Sequence, residues 1–265
     1  MNTSPHNTAN DKSDSAWDRA ANFEKENRPM LTISKIVIKG SVDVVFVREA
    51  APHLVVAGES PEVIRGIKTR FNGDKLIIED EVFSITSSGE AIGVHQSAGV
   101  NTGVMQVFYG SVGQVAGRSI HVVGSGNIVS GNDMRDADGA LVFVRGIVRV
   151  ALPAAPSIRI KGSGDVTLYD LQQDVLDVGI RGSGNITAFG QVGHLVIKVA
   201  GSGDVDVSEL VATSADFSIA GSGDIDAYVT HSVKARIAGS GDIVVRGNPT
   251  DRDQAVAGSG EIEFQ

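Results

Sequence analysis

The chain has 265 residues, of which 42% are hydrophobic and 5% aromatic, with 32 glycines and no cysteine. Its formal net charge is −9, and no stretch gathers five or more Lys and Arg, which argues against nucleic acid and an anionic membrane surface as partners. The lack of cysteine excludes disulfides and thiol nucleophiles but leaves the compartment open.

The first 30 residues are predicted to form a disordered tail, followed by one domain over residues 31–265. From Met1 to about Met30 the sequence is rich in Asn, Ser, Asp, Lys and Glu, and it lacks the apolar region of a secretory signal. Eighteen consecutive apolar residues occur nowhere, so no transmembrane helix is predicted. By default these features predict a cytoplasmic protein.

An insertion or extra coils are predicted at about residues 81–138. This region is where a polysaccharide-active site could lie, with Glu90, His95, His121 and Asp133 as its scattered polar groups. The six histidines of the chain have no spacing typical of metal ligands.

A motif of Gly-Ser-Gly, then Asp, Asn or Glu, then Ile or Val occurs seven times. It begins at Gly124, Gly162, Gly182, Gly201, Gly221, Gly239 and Gly258. The successive differences are 38, 20, 19, 20, 18 and 19 residues, and 38 is two times 19. The sequence therefore predicts a repeating unit of about 19 residues, with one degenerate coil in the gap between residues 124 and 162.

Two columns of β-branched residues flank the motif, two positions before its first glycine and four positions after it. The first column is Val122, Ile160, Ile180, Val199, Ile219, Ile237 and Val256, and the second is Ile128, Val166, Ile186, Val205, Ile225, Ile243 and Ile262. Because apolar residues alternate with others on the approach to each turn, each unit is predicted to be a strand, a tight turn and a second strand.

Such a unit cannot bury its apolar face alone, but stacked units bury it against one another. Units stacked in the same direction form parallel sheets, whose crossovers are overwhelmingly right-handed. The predicted fold class is therefore all-β: a right-handed parallel β-helix, or solenoid, with coils of about 19 residues.

One position of the motif is a candidate for ion chemistry. It is occupied by Asn127, Asp165, Asn185, Asp204, Asp224, Asp242 and Glu261. Carboxylates stacked about 4.8 Å apart repel by about 1 kcal/mol in water, so the column must be exposed, hydrogen-bonded at its turns or neutralised by cations. Calcium bound by Asp165, Asp204, Asp224 and Asp242 is disfavoured, because calcium β-rolls carry a glycine-aspartate turn on both sides of each coil.

The motif also fails the requirements of catalysis and nucleotide binding. No column pairs its serines with a histidine base. The spacing of a dinucleotide fingerprint is missing, and a strand follows each turn where a phosphate loop would have a helix. No catalytic residue, cofactor or metal site is predicted.

The segment from Ile36 to Val44 resembles the opening strand and first degenerate turn of the head GIN domain family, bacterial domains described as auto-transporter adhesins and otherwise of unknown function. The segments 54–58, 63–68 and 73–78 follow in the same order. Val148 to Pro153 and Ile158 to Val166 resemble the family's strand, proline corner and first full turn. The resemblance covers about Thr32 to Gln265, and it implies a surface role in the cell envelope or outside the cell, without catalytic residues.

Three hypotheses for function follow. A non-enzymatic structural or adhesive module is favoured, because regular coils without long loops leave no walled cleft. A polysaccharide-active β-helix enzyme and a pure oligomerisation scaffold are the alternatives. A homo-oligomer is expected, because the last coil has no capping helix after residues 258–265. A surface polysaccharide or a protein is the expected type of ligand, and membrane insertion is not expected.

Overall fold

The computed structural model describes residues 15–80, 85–86, 91–92 and 146–265. The helices are α1 (Ser15–Asp18) and α2 (Pro61–Gly66). The strands before residue 146 are β1 (Glu24–Arg28), β2 (Lys35–Gly40), β3 (Asp43–Arg48), β4 (His53–Gly58), β5 (Ile67–Asn72), β6 (Lys75–Asp80), β7 (Ile85–Thr86) and β8 (Ala91–Ile92). The later strands are β9 (Ile147–Leu152), β10 (Ser157–Gly162), β11 (Val166–Gly182), β12 (Ile186–Gly201), β13 (Val205–Gly221), β14 (Ile225–Gly239), β15 (Ile243–Arg246), β16 (Asp251–Gly258) and β17 (Ile262–Phe264).

The long strands β11 to β14 each run from one Gly-Ser-Gly turn to the next and form successive coils of a solenoid. Neighbouring coils pair in parallel both in the strand part that follows a turn and in the part that leads into the next turn. Ile186 therefore lies beside Val166 and Val205, and Gly201 lies beside Gly182 and Gly221. The predicted stack of parallel coils is confirmed. Its two sheets are called the pre-turn sheet, made of strands that lead into the turns, and the post-turn sheet, made of strands that leave them.

The two predicted aliphatic columns form the core between these sheets. Ile160, Ile180, Val199, Ile219 and Ile237 are at most 3% exposed. Val166, Ile186, Val205, Ile225 and Ile243 are at most 2% exposed. Burial of this continuous aliphatic surface stabilises each coil only through its neighbours, at about 25 cal/mol for each Å² removed from water.

One coil lies out of chain order. The strands β2 and β3, joined by the turn at Gly40, pair with β10 and β11, so Gly40 lies directly beneath Gly162. The degenerate coil predicted between residues 124 and 162 falls largely on residues outside the described ranges, and the level directly beneath Gly162 is occupied by the coil of Gly40. The alternation of Ile36 and Ile38 matches that of Ile158 and Ile160, which lets the early coil continue the core. The turn predicted at Gly124 lies outside the described residues.

The next level of the stack is assembled from two separate strands. β6, which ends at Asp80, pairs with β2, and β9, which begins at Ile147, pairs with β3, so this level is formed by strands that are far apart in the sequence. Apart from β7 and β8, the predicted insertion at 81–138 lies outside the described residues, as do Glu90, His95, His121 and Asp133. Antiparallel pairing of β4 with β9 and of β5 with β6 completes this end of the fold.

Residues 15–30 belong to the folded structure, so the prediction of a disordered tail over residues 1–30 is wrong for this part. β1 pairs antiparallel with β4, and the Arg28 guanidinium donates hydrogen bonds to the carbonyl oxygens of Ile64 and Ile67. The polar sequence of β1 misled the prediction because a strand held by backbone bonds at a sheet edge needs no apolar face. Within the described ranges, no helix has the length and apolar character needed to cross a membrane.

Candidate functional site

The stacked Gly-Ser-Gly turns form one continuous edge of the solenoid, here called the turn edge. Each turn bonds to the coil beneath it: the backbone N–H of Ser222, for example, donates to the carbonyl oxygen of Gly201 at 2.9 Å. A Cβ on Gly221 or Gly223 would lie under 3.0 Å from backbone atoms of the coil beneath. The glycines are therefore required because successive backbones approach closely.

The acidic column of the turn edge is a ladder of hydrogen bonds. In each coil, the side-chain Oδ1 accepts a bond from the backbone N–H of the equivalent residue in the next coil. The donor and acceptor pairs are Asp165 N to Asp43 at 3.0 Å, Asn185 N to Asp165 at 2.9 Å, Asp204 N to Asn185 at 3.0 Å, Asp224 N to Asp204 at 2.9 Å, Asp242 N to Asp224 at 2.8 Å and Glu261 N to Asp242 at 2.8 Å. Asp43, which the motif search missed, begins the ladder.

Asn185 shows that the ladder needs an acceptor oxygen and does not need a negative charge. Its amide oxygen accepts the same bond as the carboxylates above and below it. Of the arrangements considered from the sequence, hydrogen bonding at the turns is the one observed, together with exposure of Asp204, Asp224 and Asp242. Among the described residues, no group of three or more His, Asp or Glu is arranged to hold a metal ion.

We therefore expect calcium removal to leave the stability unchanged. A chelator should shift the melting temperature by less than the error of the measurement, because backbone N–H groups already satisfy the ladder oxygens. The check is thermal unfolding with calcium and with excess chelator. A drop of many degrees on chelation would instead make Asp165, Asp204, Asp224 and Asp242 calcium ligands, since an ion that binds only the folded state stabilises it by mass action.

The serines of the turn edge are exposed, and the structure brings none of them to a histidine within the described part of the chain. Ser163, Ser183, Ser202, Ser222, Ser240 and Ser259 all share this exposure. A different serine does meet a histidine: His194 Nδ1 lies 2.8 Å from Ser214 Oγ, and its Nε2 lies 3.4 Å from Asp216. Sequence analysis missed this trio because its members join only when β12 and β13 stack.

The trio of His194, Ser214 and Asp216 lies on an open surface. The side chains of His194 and Asp216 are 37% and 51% exposed. A nucleophile of a hydrolase also needs a donor for the developing oxyanion and walls that orient the substrate. Among the described residues, the neighbouring parallel strands around the trio supply neither of these features.

Ion pairs link neighbouring coils on the outer surfaces of both sheets. The Arg246 guanidinium bonds to both carboxylate oxygens of Asp226, at 2.9 and 2.7 Å, and this contact raises the pKa of Arg246. The hydrogen bond from Arg236 lowers the pKa of Asp253. Because solvent screens exposed pairs of this kind, they add little to stability and mainly favour the observed alignment of neighbouring coils.

The outer surface of the post-turn sheet also has an aromatic cluster. Tyr169 and Phe189 stack with ring centroids 5.3 Å apart, and Trp17 lies beside Arg149, whose guanidinium carbon is 5.8 Å from the ring centroid. Ala20 and Phe23 pack into the same cluster. The segment that precedes β1 therefore covers apolar surface that the sheet would otherwise expose.

A depression of about 450 Å³ lies between β1 and α2 and is open to solvent. It is lined by Glu24, Lys25, Glu26, Pro61, Ile64 and Arg65. Acidic and basic side chains alternate around it, and its described lining has neither a histidine nor a hydroxyl nucleophile. The depression therefore offers no catalytic arrangement.

Comparison with known proteins identifies similar solved structures and the family of the chain. A crystal structure described as a putative adhesin from Bacteroides fragilis is 15% identical, with a TM-score of 0.57, and the match covers 92% of this chain and 97% of that one. A structure described as a putative lipid binding protein from Parabacteroides distasonis is 19% identical, with a TM-score of 0.48 and coverage of 92% and 96%. No curated protein matches the chain. The family described as "Putative auto-transporter adhesin, head GIN domain" matches residues 33–249, and the chain belongs to this family.

Proposed function

We propose that the chain is a non-enzymatic adhesive module of the bacterial cell surface or envelope. The observation that carries this proposal is the regular outer wall of the coils from β11 to β17, where strands and tight turns follow one another without long loops. Flat sheets of this kind suit extended ligands better than small substrates, which need concave sites. Membership of a family described as adhesins supports the same role.

An enzymatic role has one specific observation in its favour, the contact of His194 with Ser214 and Asp216. Exposure of these side chains, and the lack of walls around them in the part of the chain that the structure describes, argue against hydrolysis. The alternative is still chemically definite, because its nucleophile and base are named. Replacement of His194 is therefore the control in the test of function.

We expect the purified protein to be retained on insoluble polysaccharide or on bacterial surfaces without releasing soluble sugars. The assay measures retained protein and reducing ends in the same tube, for the unmodified chain and for His194→Ala. Release of oligosaccharides that is lost in His194→Ala would make the protein an enzyme using this trio. Release that survives His194→Ala but is lost when His95 or His121 is replaced would locate the enzyme activity in the region of residues 81–138.

Self-association remains a prediction. Val256 continues the inner column in which Ile237 is 3% exposed, and Val256 is itself 45% exposed in the described structure. The outer edges of β16 and β17 also lack a further strand in the described structure.

A further inference from the structure

The pre-turn sheet has a strongly basic outer surface at its amino-terminal end. Lys39 is aligned with Lys161 on the neighbouring strand, and Arg181 follows Ile180, which is aligned with Ile160. These three cations therefore form a column, with neighbouring strands about 4.8 Å apart. Lys198 lies on the next strand, aligned with Gly179. The four residues Lys39, Lys161, Arg181 and Lys198 are here called the basic column.

Positive charge dominates this surface even though the chain is acidic as a whole. The outward side chains of β5, β6, β2, β10 and the last parts of β11 and β12 include nine cations and two carboxylates. The cations are Lys68, Arg70, Lys75, Lys35, Lys39, Arg159, Lys161, Arg181 and Lys198, and the carboxylates are Glu79 and Asp177. At the two ends of β6, Asp74 and Asp80 bond to Ser34 and Ser41. The chain as a whole has a net charge of −9, so this positive surface is a local feature that arises because the stacking of coils brings separate cations together.

Among the ion pairs of the described residues, only one of the four residues of the basic column has a partner. That residue is Lys39, which lies 3.3 Å from Glu79, and on the same sheet Arg159 bonds to Asp177 and Arg236 bonds to Asp253. By contrast, the ion pairs of the described residues include none for Lys161, Arg181 or Lys198. Like charges on adjacent strands destabilise a sheet. An external anion would remove this repulsion.

The charges at the turn edge also differ between the early and the late coils of the stack. The residue before the first turn glycine is Lys39, Lys161 and Arg181 in the early coils, and it is Ala200, Ala220, Ala238 and Ala257 in the later ones. In the early coils the hydrogen-bond ladder carries less negative charge. Its residue Asn185 is neutral, and its Asp43 carboxylate lies 3.6 Å from the Arg19 guanidinium. Beside the alanines it has four carboxylates. The stack therefore has one basic and one acidic end.

We propose that the basic column binds a linear acidic polysaccharide lying across the strands. This inference rests on the proposed adhesive function and gives its ligand class. A polymer with one carboxylate, sulfate or phosphate on each sugar presents spaced anions along a flexible chain, as the column presents spaced cations. Bases of single-stranded nucleic acid would need aromatic platforms. The outward positions of these strands have none, and Tyr169 and Phe189 lie on the other sheet.

The test uses the full chain and two triple variants with equal net charge. Lys161→Gln, Arg181→Gln and Lys198→Gln remove the unpaired cations of the basic column. Lys25→Gln, Arg65→Gln and Lys234→Gln remove three exposed cations elsewhere and serve as the matched control. Polygalacturonate, which has one carboxylate on each sugar, is the probe, with neutral dextran and a thymidine oligonucleotide as comparisons.

The unmodified chain is expected to bind polygalacturonate and not dextran, with an affinity that falls as NaCl rises. The basic-column triple should lose at least about tenfold in affinity, and its slope of log affinity against log salt should fall by about 2, at roughly 0.7 for each lost contact. The control triple should stay within about twofold. Thermal melting of all three proteins verifies that they are folded.

Three outcomes would overturn the inference. The first is no binding of polygalacturonate by the unmodified chain, and the second is an equal loss in both triples, which would reflect net charge alone. The third is tighter binding of the oligonucleotide with the same dependence on the column, which would indicate a nucleic-acid partner. None of these produces soluble sugars, so failure of this inference is distinct from failure of the non-enzymatic proposal.

Discussion

Replacing Ile219 with Asp is expected to lower the free energy of unfolding by about 3–5 kcal/mol, the range for a buried charge without a partner. The Ile219 side chain is 1% exposed, with Val199 and Ile237 of the inner column beneath and above it. A carboxylate there would lose its water without gaining a hydrogen-bond donor. Because each coil is stabilised mainly by its neighbours, the coils of β13 and β14 should unfold first.

The measurement is urea unfolding followed by far-ultraviolet circular dichroism. Ser218→Asp is the matched control, because Ser218 is the adjacent residue of the same strand and its side chain points to solvent. That variant should unfold within about 0.5 kcal/mol of the unmodified chain, as surface substitutions usually do. Equal stability of Ile219→Asp and the unmodified chain would mean that the inner column is not the core.

Replacing Gly221 with Ala is expected to separate two coils at the turn edge. The φ of Gly221 is +150°, and a Cβ would lie under 3.0 Å from the carbonyl oxygen of Gly201. The backbone conformation alone costs about 1–3 kcal/mol for a residue with a side chain, and displacing the packed backbone adds about 1–3 kcal/mol. Urea unfolding should therefore show a loss of several kcal/mol.

Two further variants separate the causes of that loss. Ser222→Ala changes the exposed residue between the two glycines and should leave the stability within about 0.5 kcal/mol. Gly223→Ala tests close approach without a positive φ, because a Cβ there would also meet the backbone of the coil beneath, at Gly203. If Gly223→Ala were harmless while Gly221→Ala was destabilising, conformation and not crowding would explain the glycines.

The core and the turn chemistry were predictable from sequence because both repeat locally. Ile219 and Ile225 recur at fixed distances from the same motif, so their shared burial follows from the period alone. The position of Gly40 beneath Gly162 was not predictable in the same way. Which coil stacks on which depends on contacts between residues 122 apart, as for Asp43 and Asp165.

The candidate binding surface could not be predicted from the sequence for a related reason. A search for runs of Lys and Arg fails because the basic column collects single residues from separate coils. Lys39 and Lys161 become neighbours only when β2 inserts beneath β10. Knowledge of the stacking order, combined with the residue before each turn glycine, would have located the surface from sequence.

The coil of Gly40 has a consequence for the order in which the molecule folds. Coils from β11 onward join residues 18–20 positions apart, as in the ladder bonds of Asn185 and Asp242. The Asp43 to Asp165 contact closes a segment of 122 residues, which costs roughly 1.5 kcal/mol more in chain entropy than closing about 20. Local closures are also faster. The carboxyl-terminal coils should therefore form first and serve as the template on which β2 and β3 dock.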